Sequence, residues 1–471
     1  MKNLYWIKLL QLKKLNDIFY LRSCAVHSKP SQIDRAQMAN LKTIHLKEVD
    51  RRTFELFQRY GQTQEIRFLN DLFRNAGHEM RMAGGAVRDL LINKPPHDID
   101  FASDANPDQM IALLSNRPEV RLITTLSGIK HGTITARINN KCQFEITTLR
   151  IDQNTDGRHA EVEFINDWKL DASRRDLTIN SMFIDSDGLL YDYFGGMADL
   201  KDKKIRFVGD PSNRIVEDYL RIFRYFRFHI RYGKPGDHEQ STLMAIKSNL
   251  EGLRSISGER IWSEMKRILS NLSCDDAINV MFKDLEMGKY LGFSNKKIDF
   301  DEFERIHSNL LKLYSTNNSN IVYNPETLFA SLINGIDDLI AIVSRLKLSN
   351  LERDIIIFII SNRSLSIDYG QDERMFKTQI ALASKSEQIN LKKFIIQFLL
   401  YQGYSKEFIE NLNDWIAPSF PFKGTRIPGT IKKQNLKLII DDLKKIWAKN
   451  NFEMTEEEFD NEILRLKSLY S

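Results

Sequence analysis

Two hydrophobic periods divide the chain. Between residues 80 and 206 apolar positions fall in short runs of strand character: Met80-Arg81-Met82-Ala83, then Asp98 to Ala102, then 141–149, where Phe144 and Ile146 alternate with Gln143, Glu145 and Thr147. From about Ser241 the period becomes helical, with Ile261, Met265, Ile268 and Leu269 at i, i+4, i+7 and i+8 behind a Ser257 cap. Leu436, Ile439, Ile440, Leu443 and Trp447 repeat the stripe near the far end, with lysines at 432, 433, 437, 444 and 445 between them. Those lysines read equally as a solvated helix face or as contacts to an RNA backbone. The pattern shows no internal repeat and no low-complexity tract.

Composition narrows the class. A chain of 471 residues with 42% hydrophobic and 28% charged positions is globular and long enough for several domains, which excludes collagen-like, disulfide-scaffold and wholly disordered proteins. The longest apolar run, Ile355 to Ile360, falls far short of the roughly 18 residues of a membrane span, so no membrane association is expected. Cys24, Cys142 and Cys274 are scattered and form no metal-ligand spacing, as in a reducing compartment. The net charge is +5, of which residues 1–28 carry +4. The folded body is therefore nearly neutral, and any anion binding must come from local basic surface. Residues 1–28 set Lys2, Lys8, Lys13, Lys14 and Arg22 among apolar positions in the manner of a mitochondrial presequence. The mitochondrial matrix is the expected compartment, and initiation at Met38 offers a second product for the cytosol or nucleus.

Candidate chemistry lies between residues 80 and 231. Gly84-Gly85 follows the first strand and opens a helix through Leu91; such a turn lets backbone amides approach an anion, and Arg88 one turn in can join them on a phosphate. Pro95-Pro96 ends that helix. Asp98 and Asp100 are then expected on one face of a strand, about 6.6 Å apart, a separation suited to a pair of divalent cations of the kind used for in-line displacement at phosphorus. Glu145 offers a third acid. Arg174-Arg175-Asp176 suits a nucleoside triphosphate, with guanidinium forks on phosphate oxygens and the carboxylate on a ribose hydroxyl. Taken singly, each element is also compatible with a plain turn, a solvated strand end or a surface ion pair.

Asp218 and Arg221 are expected to be neighbours on one helix. Asp only accepts and Arg only donates, so together they complement an amino group beside an unprotonated ring nitrogen, the edge shared by cytosine and adenine. Guanine and uracil present the opposite polarity. Arg224, Arg227 and Arg231 continue the row, with Phe223, Tyr225, Phe226 and Phe228 interleaved; Arg231 reads equally as a solvated residue or an RNA contact.

In order along the chain, Gly84 to Asp89 (G-G-x-V-R-D), Asp98-Ile99-Asp100, Arg174-Arg175-Asp176, Asp192-Tyr193-Phe194-Gly195-Gly196, Glu217-Asp218-Tyr219-Leu220-Arg221 and Ile256 to Arg260 resemble the motifs of the class II tRNA nucleotidyltransferases. These are the CCA-adding enzymes of bacteria and eukaryotes within the polymerase-β superfamily. The resemblance implies an α+β fold: a polymerase-β-like head with a small mixed sheet, followed by all-helical neck, body and tail. It implies a leader at 1–40, head at 41–206, neck at 207–270, body at 271–350 and tRNA-binding tail at 351–471.

It further implies that Asp98 and Asp100 carry Mg2+ and, with Glu145, form the catalytic acids. Gly85 and Arg88 hold the triphosphate, Arg175 contacts the nucleotide and Asp176 the ribose 2'-hydroxyl. Asp218 and Arg221 select the base, and Arg224 and Arg227 also bind nucleotide. The segment Asp192 to Gly196 is the family's flexible connection between head and neck. The implied substrates are CTP, ATP and tRNA, with no obligate protein partner. The neighbouring readings are a poly(A) polymerase, whose Arg-rich segment after the head is not seen here, a partial C-adding or A-adding enzyme, and an inactive RNA-binding scaffold.

Overall fold

A computed structural model describes residues 42–470, apart from 116, 154–160, 295–297, 316–320, 366–368, 423–425 and 428–432. The leader at 1–40, most of the polar loop after Asp152 and Lys432 lie outside the described residues. Contacts divide the chain into residues 1–42 and 43–471, and the second unit carries everything that follows.

The described strands are β1 (Lys42–His45), β2 (Met80–Ala83), β3 (Asp100–Ser103), β4 (Val120–Leu122), β5 (Thr133–Ile138), β6 (Cys142–Thr148), β7 (Arg150–Gln153), β8 (Glu161–Phe164), β9 (Phe183–Ile184) and β10 (Leu189–Asp192). Eight of them form one mixed sheet in the order β1-β10-β9-β2-β3-β6-β5-β4, and β7 pairs with β8 apart from it. The helices that matter for the site are α1 (Gly85–Leu91), α2 (Trp168–Ser173), α3 (Pro211–Glu217), α4 (Arg221–Tyr232), α5 (Gly258–Leu269), α6 (Asp275–Asn279) and, far downstream, α7 (Lys433–Lys449). The α+β architecture read from the sequence is the one observed, with an eight-stranded head sheet and helices throughout the rest of the chain.

The expected alternation of β6 is present: Phe144 and Ile146 are buried while Gln143 and Glu145 face outward. A slip of one residue would bury Glu145 and expose Ile146, so burial of about 2 kcal/mol per large apolar side chain pins the register. That register sets Glu145 opposite Asp100 across the parallel β3–β6 pair and Ala83 opposite Asp100 on the other side. Ile99 packs on the head core as its pattern required.

Asp98 corrects the sequence reading. It lies before β3, exposed and paired with His97 at 3.0 Å, so it shares no strand face with Asp100. Gly84 turns the chain out of β2 at φ +64°, which leaves no partner for a residue ahead of Asp100 on that side, and the ladder stops there.

Beyond the head, one apolar core runs through helical residues from Leu177 to Leu412, and a smaller one joins Ile439 and Leu443 of α7 to Phe459 and Ile463. Ser257 is the N-cap residue of α5, although its side chain makes no capping bond. Ile261, Met265, Ile268 and Leu269 are all fully buried. No described helix is long and apolar enough to cross a membrane.

Candidate active site

A cleft of about 720 Å³ opens between the edge of the head sheet and α4, lined by ten of the eleven residues singled out from the sequence; Asp98 is the exception. Nine arginines and five acids face it, so a nearly neutral protein concentrates positive charge where a polyanion would enter.

One wall is the strand wall. Asp100 and Glu145 stand in register on adjacent strands. Partial burial, then the charge of Glu145, then that of Asp98 push the Asp100 carboxyl above its ordinary range, while Arg175 opposes the shift. Carboxylates crowded without a matching cation form an oxygen donor set that suits a hard divalent ion.

At the turn into α1, Gly84 has little alternative. A Cβ there would sit 3.1 Å from Arg175 Nη1, on a backbone that L side chains rarely adopt. Arg88 is buried, donating to Asn180 Oδ1 at 2.6 Å and to Asp89 Oδ1 at 2.8 Å. Arg174 and Arg175 both pair with the buried Asp171, at 2.8 and 3.2 Å. The arginine pair is therefore assembled on one carboxylate at the end of α2, which the sequence reading did not pick out.

The opposite wall is helical. Arg221, Arg224, Arg227 and Arg231 all reach the cleft, as the row predicts, with Phe223, Tyr225 and Phe226 fully buried behind them. The Phe228 ring lies among Arg88, Arg224 and Arg227, at 5.3, 5.6 and 4.4 Å from its centre. Arg224 Nε donates to Asp176 Oδ2 at 2.6 Å. Burial alone would raise the Asp176 carboxyl, but Arg224, Asn180 and the Leu177 amide outweigh it and hold the group below the usual carboxylate range. Arg227 Nε donates to the buried Glu264 at 2.6 Å.

Asp218 and Arg221 do not sit on one helix, correcting the sequence expectation. Asp218 is extended (φ −154°, ψ 104°) at the end of α3, and α4 begins at Arg221. Across the break one Asp218 oxygen accepts from the Leu220 amide at 3.1 Å, just ahead of the new helix. Its other oxygen accepts from Arg260 at 2.9 Å, and Arg221 is held by Glu217 at 2.5 Å and by the Arg174 carbonyl. Both still face the cleft.

The segment Asp192 to Gly196 is tightly built. The buried Asp192 carboxylate accepts from the Gly196 and Met197 amides, each at 2.9 Å. A Cβ on Gly196 would fall within 2.2 Å of the Thr178 carbonyl, so close packing is what requires glycine there.

Besides Asp171, three functional neighbours escaped sequence reasoning. Asn180 bridges Arg88 and Asp176, Arg260 holds Asp218, and Glu264 holds Arg227. The first two lie within or beside quoted motifs, but which acid or guanidinium each would meet depends on distant segments. Among the described residues, Arg231 alone of the nine arginines finds no carboxylate; its guanidinium lies over the Tyr232 ring. It also borders a second cleft lined by Arg227, Arg267, Tyr314 and Tyr323.

Residues 80–206 match the family described as the poly A polymerase head domain, and residues 238–285 the family described as the probable RNA and SrmB-binding site of polymerase A. The chain is 41% identical to a Mus musculus relative, CCA tRNA nucleotidyltransferase 1, mitochondrial, over 84% of this chain and 89% of that one. The Homo sapiens relative of the same name is 42% identical over the same shares. A Bacillus stearothermophilus CCA-adding enzyme, solved in complex with CTP, superposes with a TM-score of 0.67 over 86% of this chain and 98% of its own, at 22% identity, and so speaks for the fold.

Proposed function

The chain belongs to the CCA tRNA nucleotidyltransferases, a family of transferases, and from that premise we propose that its cleft adds C, C and A to the 3' end of tRNA from CTP and ATP by two-metal nucleotidyl transfer, without a nucleic-acid template. The observation that carries this reading is the Asp100–Glu145 pair, set in register on adjacent strands and facing a wall of arginines across one cleft.

In each step the tRNA 3'-hydroxyl oxygen bonds to the α-phosphorus and the bond to the β-phosphate oxygen breaks, releasing pyrophosphate. Asp98 and Asp100 would hold Mg2+, with Glu145 beside them as the third acid; Asp98, outside the cleft lining and paired with His97, would exchange that partner for the ion. A metal bound there would lower the pKa of the attacking hydroxyl and neutralise charge on the leaving oxygen. Gly85, Arg88 and Arg175 hold the triphosphate, and Asp176 takes the ribose 2'-hydroxyl.

Asp218 and Arg221 read the base edge, assisted by Arg224 and Arg227. In the unliganded cleft Asp218 is bonded to Arg260 and Arg221 to Glu217, so a base enters by exchanging those partners. A base of the wrong polarity would break the bonds without replacing them, and that penalty supports selection of cytosine and adenine. Unpaired Arg231, between the two clefts, supports a path for the phosphodiester backbone of the RNA end. We place the chain in the mitochondrial matrix, addressed by residues 1–28, with head, neck, body and tail at 41–206, 207–270, 271–350 and 351–471.

The test is incorporation of labelled CTP and ATP, alone and together, into tRNA ending before CCA, with Mg2+ present. Two C's followed by one A are expected, with no signal from GTP or UTP. Long A tracts from ATP alone would make the protein a poly(A) polymerase instead.

A further inference from the structure

On the flank of α4, outside the lining of the cleft, lies a cluster that the nucleotide chemistry does not use. Tyr225, fully buried, meets His238 Nδ1 through its hydroxyl at 2.8 Å, and His238 Nε2 lies 3.0 Å from Asp276 Oδ2. His229, one turn after Tyr225 on α4, stacks on His238 with ring centres 3.8 Å apart and planes at 18°. The three elements involved are α4, the loop ahead of the helix Gln240–Ser248, and α6.

The ligand atoms of His229, His238 and Asp276 lie within 4.8 Å of one another, which raises the question of a metal. The stacking answers it. A bound ion must lie in the plane of each imidazole it meets, and two nearly parallel rings point their nitrogen lone pairs side by side instead of at one point. Both nitrogens of His238 are also already engaged. Hydrogen-bond logic orders the chain instead. An ionised Asp276 can only accept, so His238 carries its proton on Nε2, its Nδ1 accepts, and the Tyr225 hydroxyl donates. Burial, with His238 alongside, lowers His229 to about 4, so it stays neutral and gives the stack no competing charged form near neutral pH.

We propose that Tyr225, His238 and Asp276 are positioning residues for base selection: their relay sets the rotation of α4, the helix that presents Arg221, Arg224 and Arg227 to the nucleotide. This rests on the reading of the cleft as a CTP and ATP site. At about 100° per residue, Tyr225 lies about 100° and His229 about 140° round the helix from the middle of the arginine row, Tyr225 only about 40° from Arg221. They hold the helix from its flank, beside Arg221, and neither lines the cleft. Guanidinium groups sit several ångströms from the helix axis, so a small rotation moves them by about 1 Å, the scale on which oriented contacts fail.

The experiment compares wild-type with Tyr225→Phe, which removes one oxygen and keeps the ring packed. It reads kcat and KM for CTP and ATP, misincorporation of UTP and GTP, and the melting curve. Equilibrium dialysis of CTP against UTP without RNA repeats the comparison free of turnover. Tyr225→Phe is expected to melt cooperatively yet lose about tenfold in selectivity for CTP over UTP, with KM for the correct nucleotides raised. His238→Gln, which keeps a donor and an acceptor, is expected to retain more selectivity than His238→Leu. Unchanged selectivity and KM in Tyr225→Phe, whatever its melting temperature, would reduce the relay to core packing and leave the cleft reading standing. A wild-type protein that does not distinguish bases would overturn that reading and the relay with it.

Discussion

The two walls of the cleft handle charge in opposite ways. On the strand wall, register brings Asp100 and Glu145 together, and burial first, then the charges of Glu145 and Asp98, push the Asp100 carboxyl up against the pull of Arg175. On the helical wall, Arg221, Arg224 and Arg227 are each bonded to an acid from another turn or another element. The strand wall is thus electrostatically unfinished and calls for a bound cation. The helical wall is already satisfied, which keeps its guanidinium groups aimed and makes a ligand compete for them. On the proposed reading, strain where a metal would bind and order where a base would be read suit template-free selection, because no pairing strand is present to correct a misplaced donor.

The sharpest way to break this comparison is Asp100→Asn. It is expected to lower incorporation by on the order of a thousandfold or more, since it removes charge from the metal-binding pair. The same change should raise the melting temperature at neutral pH. The folded-state pKa of Asp100 is raised, so the ionised group costs stability above that value. The gain from Asn should vanish below about pH 4, where folded and unfolded states are both protonated. Calorimetry at two pH values, with single-turnover assays, checks both halves. A variant less stable than wild-type at neutral pH would mean the strand wall is not strained.

The converse substitution is Arg224→Leu, which leaves Asp176 buried and unpaired. A loss of about 2–3 kcal/mol is expected, below that of a fully buried pair because Arg224 is partly open to solvent. Here the carboxyl pKa is lowered, so the stabilisation is present above the ordinary carboxylate value and disappears as pH falls through the folded one. Denaturant titrations at neutral and acid pH should show the gap between wild-type and variant closing in acid.

Gly84→Ala probes the turn from β2 into α1. A positive φ and the approach to Arg175 predict a cost of about 1–2 kcal/mol, with weakened triphosphate binding measurable by calorimetric titration of CTP. The smallest effect is expected at Arg231, the arginine without an acid. Arg231→Ala should raise KM for tRNA a few-fold, leave KM for CTP and ATP unchanged, and reduce the slope of log K against log salt by about 1. A change in nucleotide KM instead would place Arg231 with the rest of the row.

Much of this site was legible one segment at a time. The strand at 80–83, the turn and helix through Leu91, the outward Glu145 and the arginine row of α4 follow from local periodicity and backbone preference, which nearby residues settle among themselves. The errors fell where a boundary depends on a partner far away. Asp98 lost its strand because β2 turns off at Gly84 and ends the ladder. Asp218 lies between two helices, where its carboxylate bonds the Leu220 amide and Arg260, a partner 42 residues away that no local pattern announces. The ordered series of motifs thus determined the fold class, the family and ten of the residues that face the cleft. Only the tertiary structure decided which acid holds which arginine, that Asn180, Arg260 and Glu264 belong to the site, and that a tyrosine–histidine–aspartate chain flanks α4. Ion pairs and buried hydrogen bonds form between residues tens of positions apart, and their energies turn on ångström distances that a linear pattern of residue types does not encode.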